Sequence, residues 1–150
     1  MLQAHTTPVA KVVELLGGSS LVRQAVHNEL DLLALAARGL SIQSLRALQR
    51  RMQFSNKEIS EFLDVSESTL QRRQQTKRAL TRDEGEKAIQ LSSVMAKGIS
   101  VFEDEEDFRH WLETPNVALG GIEPKELLGS SIGREQVREI LLRIQYGIYS

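Results

Sequence analysis

Short apolar stripes, each opened by a residue that caps helices, recur along this chain, and that repetition leaves room for little but α-helices. Ser41 precedes Ile42, Leu45, Leu48 and Met52, which share one helical stripe. Ser55 and Glu58 have the spacing of a capping box, so a helix carrying Ile59, Phe62 and Leu63 is expected from Asn56. Ser66 caps the next, which carries Leu70. Thr81 and Glu84 repeat the capping-box spacing before a long helix with Ala88, Leu91, Met95 and Val101. Asp104 starts another through Phe108, Trp111 and Leu112, closed by Thr114-Pro115-Asn116.

The two ends follow the same pattern. Pro8 suits a first helical turn, where its missing N–H costs nothing, and Val9, Val12, Val13, Leu15 and Leu16 follow before Gly17-Gly18. Ser19 or Ser20 is expected to cap a second helix running towards Leu30. The apolar stretch Leu30 to Ala37 stops at Gly39. After Val117 the chain loosens, with a short turn at Pro124 to Leu128. A last helix is expected from about Arg134, carrying Val137, Ile140, Leu141, Ile144 and Ile148. No segment alternates like a strand, and aromatics make up only 5% of the chain, which disfavours an all-β fold. The fold class read from the sequence is all-α.

The chain has no cysteine, which excludes disulfides, thiolate metal sites and a cysteine nucleophile. No apolar run approaches the roughly 18 residues of a membrane span, and the first residues do not read as a secretory signal. The expected location is the cytoplasm, with no membrane partner.

Net charge is -1, but it is unevenly spread. Residues 38–82 hold ten Lys and Arg against four acids, a local sum of +6, and residues 83–150 sum to -6. A basic middle and an acidic end point to two different partners.

The basic part also has a shape that fits DNA. Residues 56–73 read NKEISEFLDVSESTLQRR. A helix-turn-helix needs a small residue inside its first helix, a turn residue that tolerates positive φ and apolar anchors on both sides. Ser60 supplies the first and Asp64 the second, since Asp visits the left-handed region more readily than most residues. Val65 sits under the turn, and Leu70 anchors the second helix. That helix is expected to present Glu67, Ser68, Thr69, Gln71, Arg72 and Arg73 outward, with Ser66 at its start. Short polar side chains, Gln and Arg are the types that read base edges in the major groove. Arg50, Arg51, Lys57, Lys77 and Arg78 are placed to hold phosphates.

Over residues 39–150 the sequence resembles the Xre/ParS/MbcA-type antitoxins, partners of RES-domain toxins in type II toxin–antitoxin systems. The resemblance rests first on GLSIQSLRAL, FSNKEISEFLDVSESTLQRR and RALTRDEGEKAIQLSSV. It continues in an ordered C-terminal series: Trp111-Leu112, Pro115-Asn116, Ala118-Leu119-Gly120-Gly121, Pro124, Leu127-Leu128, Gly133, Val137, Leu141, Arg143-Ile144 and Gly147. Asp64 departs from the commoner Gly at the turn. The resemblance implies an N-terminal helical extension over 1–38 and an Xre-like helix-turn-helix DNA-binding region over 39–80. It implies a toxin-binding and dimerisation domain over 81–150. The implied partners are a RES-domain toxin that depletes NAD+, operator DNA and a second copy of the chain. The C-terminal region is expected to cover the toxin's active site, and the helix-turn-helix to repress the operon.

The residues proposed to meet the toxin are Leu141, Leu142, Arg143, Tyr146, Gly147, Ile148 and Tyr149, because an apolar, aromatic-bearing terminus with an Arg is the kind of element that anchors in a partner pocket. Trp111 is read as core, and at least one of Leu141 and Ile144 as packing within its own domain. The acids from Glu103 to Asp107 match a basic toxin site, but they are also favourable at a helix N-terminus without any partner. Catalysis is not expected. His5, His27 and His110 are scattered, no phosphate loop or hydrolase elbow occurs, and no cofactor or metal is implied. Two other readings share the basic middle: a stand-alone helix-turn-helix regulator with a ligand- or protein-sensing C-terminal domain, and an adaptor that uses its basic face for something other than nucleic acid.

Overall fold

The computed structural model describes residues 8–147. Among these residues the chain forms eight α-helices and no β-strand. In order they are α1 (Pro8–Leu15), α2 (Glu29–Arg38), α3 (Ile42–Met52), α4 (Asn56–Leu63), α5 (Glu67–Thr76), α6 (Arg82–Phe102), α7 (Glu105–Leu112) and α8 (Ser131–Gln145). Short 3-10 turns at Gly18–Ser20, Val117–Leu119 and Pro124–Leu127 join some of them. An isolated antiparallel bridge links Asn116 and Ile122.

Most expected caps are in place. The Ser41, Ser55, Ser66 and Thr81 side chains each accept the backbone N–H three residues on, and the boxes at Ser55–Glu58 and Thr81–Glu84 are closed in both directions. Asp104 accepts from the amides of Glu106 and Asp107 at the start of α7. Two expectations need correction. Ser19 and Ser20 do not cap a helix towards Leu30; they lie in a single 3-10 turn. Asn28 begins α2 instead, by accepting from the Asp31 amide. Gly17 and Gly18 both take positive φ, which breaks the path from α1. The last helix also starts earlier than Arg134, at Ser131, with the Ser130 hydroxyl accepting from Gly133.

Helix α6 is the spine. At 21 residues and about 1.5 Å per residue it spans roughly 30 Å, and α1, α2, α3, α4, α7 and α8 all lean on it. One apolar cluster runs from Val12 through Leu45, Ile59 and Leu91 to Val137 and Leu141. Gly98 explains how α7 docks. A Cβ there would collide with the buried Phe108 ring, so glycine's helix penalty of about 1 kcal/mol is offset by that close approach. Phe108 in turn lies 5.6 Å from Phe102 and 6.1 Å from Trp111, ring centre to ring centre. Trp111 is half-buried against the core.

Candidate nucleic-acid and partner-protein interfaces

The helix-turn-helix is α4, a turn and α5. Asp64 holds the turn with φ 54° and ψ 48°, the left-handed region, and its amide donates to Glu61 O while the Val65 amide donates to Ser60 O. Ser60 is half-buried where the helices cross, and its hydroxyl bonds back to Lys57 O at 2.7 Å.

Leu70 is the one residue of α5 that is buried, at 1% exposure, so the helix hangs on a single apolar anchor. A polar anchor lies one turn on. Arg73 pairs with Glu84, which is 7% exposed and also accepts from the Thr81 amide at 2.9 Å.

Of the residues expected to meet DNA, Arg50, Lys57, Ser68, Gln71, Arg72 and Lys77 are exposed. Ser66 and Thr69 are engaged in the cap, with the Ser66 hydroxyl donating to Thr69 Oγ1 at 2.8 Å. Arg73 is held by Glu84. Arg51 is turned away altogether. Its guanidinium grips both oxygens of Glu105 in α7, at 2.7 and 3.2 Å, and reaches Glu14 in α1 at 3.1 Å. The Glu105 hydrogen bond leads in raising Arg51 above its ordinary value, and the same bond leads in holding Glu105 below its own.

Sequence reasoning gave Arg46 no site role. It lies in an open polar groove of about 710 Å³ between α3, the start of α4 and α5, lined also by Gln49, Arg50, Asn56, Gln71, Gln74 and Gln75. Arg46 Nε donates to Gln74 Oε1 at 2.9 Å, and Nη1 donates to Gln49 Oε1 at 2.6 Å and Asn56 Oδ1 at 3.1 Å. Partial burial lowers its pKa. The network fixes α5 against α3 and the start of α4. The only trace in the sequence was the clustering of amide side chains in and before α5, which becomes a site only once α3 packs beside them.

The C-terminal part divides its candidate residues sharply. Leu141 is fully buried in the core, so its side chain is removed from any outward surface, and Leu142 is half-buried. Arg143 and Gly147 are exposed, as is Tyr146 at 71%. Ile148 and Tyr149 lie outside the described residues. Upstream, Arg134 is 4% exposed and donates to neutral acceptors, Gln90 Oε1 at 2.8 and 3.2 Å and Leu128 O at 2.9 Å. Burial lowers its pKa. Lys125 ties this part to the helix-turn-helix, reaching Glu58 at 2.5 Å and Glu113 at 2.8 Å, with Phe54 beneath it at 5.7 Å. Among the described residues no helix is long and apolar enough to cross a membrane, and no group of three His, Cys, Asp or Glu is placed to hold a metal ion.

Comparison with known proteins matches both halves. Residues 31–93 match the family described as antitoxin Xre-like helix-turn-helix domain. Residues 97–147 match the antitoxin Xre/MbcA/ParS C-terminal toxin-binding domain. A curated protein named Antitoxin Xre from Pseudomonas putida is 30% identical over 53% of this chain and 50% of its own length, so the match spans only half of that relative. Another Antitoxin Xre, from Photorhabdus laumondii, is 25% identical over 78% of this chain and 80% of its own. The fold is similar to that of a chain in the crystal structure of the M. tuberculosis MbcT-MbcA toxin-antitoxin complex. The TM-score is 0.53 at 16% identity, covering 83% of this chain and 100% of that one.

Proposed function

From the premise that the chain belongs to the Xre/MbcA/ParS antitoxins, we propose that it neutralises a RES-domain toxin that depletes NAD+ and represses its own operon as a DNA-bound homodimer. The observation that carries the proposal is a tandem: a helix-turn-helix whose second helix exposes Ser68, Gln71 and Arg72, followed by a domain of the toxin-binding type whose last helix ends on exposed Arg143 and Tyr146. The chain itself performs no catalysis in this reading, and its place is the cytoplasm.

Neutralisation is by occlusion. Tyr146 brings a large rigid ring with a polar tip, and Arg143 brings a guanidinium fork suited to a carboxylate in the partner's pocket. Arg143 projects from the last turn of α8 and Tyr146 caps its end, and the buried part of the helix holds both in place. A ligand-sensing regulator gains no support from the large groove, because that groove lies on the DNA-facing half.

The direct test is to induce the reading frame beside this gene, with and without the chain, and measure cellular NAD+. NAD+ should collapse only when the chain is absent. Equal collapse in both cases overturns neutralisation, and no collapse in either removes the toxin. Retardation of the upstream DNA by the pure chain tests repression separately.

A further inference from the structure

Helix α2 is apolar on two opposite faces, and only one of them is covered. Leu32, Leu35 and Ala36 face inward against α6, with Gly85 of α6 placed so that a Cβ would meet Ala36 at 3.4 Å. Leu30, Leu33, Ala34 and Ala37 follow the i, i+3, i+4, i+7 rule on the other side, and all four are exposed, Leu30 at 73% and Leu33 at 50%. A contiguous exposed apolar stripe on a helix whose other stripe is already buried marks an interaction surface.

We infer that this outer face of α2 is the surface on which a second copy of the chain docks, α2 against α2 in antiparallel orientation. The charges on the helix fit that occupant. Glu29 and Asp31 lie in its first turn and Arg38 in its last. Antiparallel packing brings each acidic first turn beside the partner's Arg38 and opposes the two helix dipoles, whereas parallel packing would stack like on like. The patch is therefore complementary to itself, as a two-fold interface must be. Ala34 and Ala37 are small enough for the helices to approach closely. The part matching a toxin-binding domain begins at residue 97, which leaves α2 outside it.

The inference rests on the homodimer of the proposed function and assigns its surface to α2, rather than to residues 81–150 where the resemblance implied dimerisation. One ten-residue helix offers less than the roughly 800 Å² per partner of a standard interface, so the free dimer should dissociate on dilution.

The chain lacks cysteine, which makes cross-linking a clean test. Ala34→Cys in the full-length chain should oxidise to a covalent dimer, while Ser100→Cys, exposed on α6, should not. Leu33→Glu should give a monomer by analytical ultracentrifugation with an unchanged helical circular dichroism spectrum. If Ala34→Cys cross-links no faster than Ser100→Cys and the Leu33→Glu chain stays dimeric, the surface is wrong although the dimer stands. If the Leu33→Glu chain stays dimeric but no longer captures the toxin, the face belongs to the toxin and the inference falls. A wild-type chain that is monomeric at every concentration overturns both the surface and the homodimer.

Discussion

Lys125, in the turn before the last helix, reaches the capping-box carboxylate of Glu58 in α4 at 2.5 Å, an ion pair that ties the C-terminal part to the helix-turn-helix. The pair is well shielded, and its charges are also satisfied elsewhere: Glu58 Oε1 accepts from the Ser55 amide at 2.8 Å and Lys125 donates to Glu113 Oε1. Burial pushes the Glu58 carboxyl up, but the Lys125 and Ser55 hydrogen bonds outweigh it and leave it below its ordinary value. Burial likewise pushes Lys125 down, and its two carboxylate partners leave it raised.

The pH dependence follows from those directions. A carboxyl lowered by folding stabilises above its unfolded value, near 4.3, and that stability is lost as pH falls through the folded value. A lysine raised by folding stabilises below about 10.4 and loses that contribution as pH rises through its folded value. Glu58→Gln should therefore cost about 1–2 kcal/mol near neutral pH, and its deficit against wild type should shrink once acid protonates Glu58 itself. Urea unfolding of both chains at neutral and at acid pH checks this. A deficit that does not change with pH would assign the cost to the cap geometry alone.

The single apolar anchor of α5 makes the second helix of the helix-turn-helix the weak point of the fold. Leu70→Ala removes about 3 kcal/mol of burial and packing from a helix with no other buried residue. The expected result is loss of DNA binding while α6 and its neighbours stay folded. Amide hydrogen exchange should show α5 opening and α6 protected. Equal loss of protection in both helices would mean that α5 and the core unfold as one unit.

These anchors divide what was legible in the sequence from what was not. The caps at Ser41, Ser55, Ser66, Thr81 and Asp104 and the turn at Asp64 are local events, decided within three or four residues, and local chemistry suffices to read them. The start of α2 went astray because Ser19 and Ser20 have the right chemistry for a cap, while two positive-φ glycines had already turned the chain aside. The start of α8 at Ser131 depends on a contact outside its own segment, since the missing Cβ of Gly133 is what lets the helix pass Leu127 O. Arg51 reads as a phosphate holder, and the structure turns it away from that face because its partner Glu105 lies 54 residues on, beyond any local pattern. Nothing local distinguishes an Arg that will hold a helix from one that will hold a phosphate.

That division also sorts the basic residues at the proposed DNA face. Arg72 and Lys77 are exposed, and neither enters an ion pair among the described residues. Arg51 and Arg73 are committed to Glu105 and Glu84. If Lys77 holds a phosphate, Lys77→Ala should weaken binding to all sequences alike and reduce the slope of log affinity against log salt by about 0.9. Arg51→Ala should lower stability and leave the slope where it was. Fluorescence anisotropy over a salt series separates the two. An unchanged slope in Lys77→Ala takes Lys77 out of the DNA contact.

The last turn of α8 offers the sharpest separation of folding from function. The buried residues of that helix are Gly133, Arg134, Val137, Ile140 and Leu141, so a stop after Leu142 removes Arg143, Tyr146 and the rest of the tail without opening the core. The shortened helix loses Ile144, which is half-buried, and a cost of about 1 kcal/mol is expected from that loss. The truncated chain should therefore melt only slightly below the full-length chain and retard operator DNA with the same affinity. It should no longer protect cells from the toxin, because the groups proposed to fill the nucleotide site are gone. Tyr146→Ala in the full-length chain refines the point, since it leaves every buried contact of α8 in place. Protection that survives both changes would move the neutralising contact away from the C-terminal end, to surfaces such as the Val117 loop, where Val117 is 93% exposed.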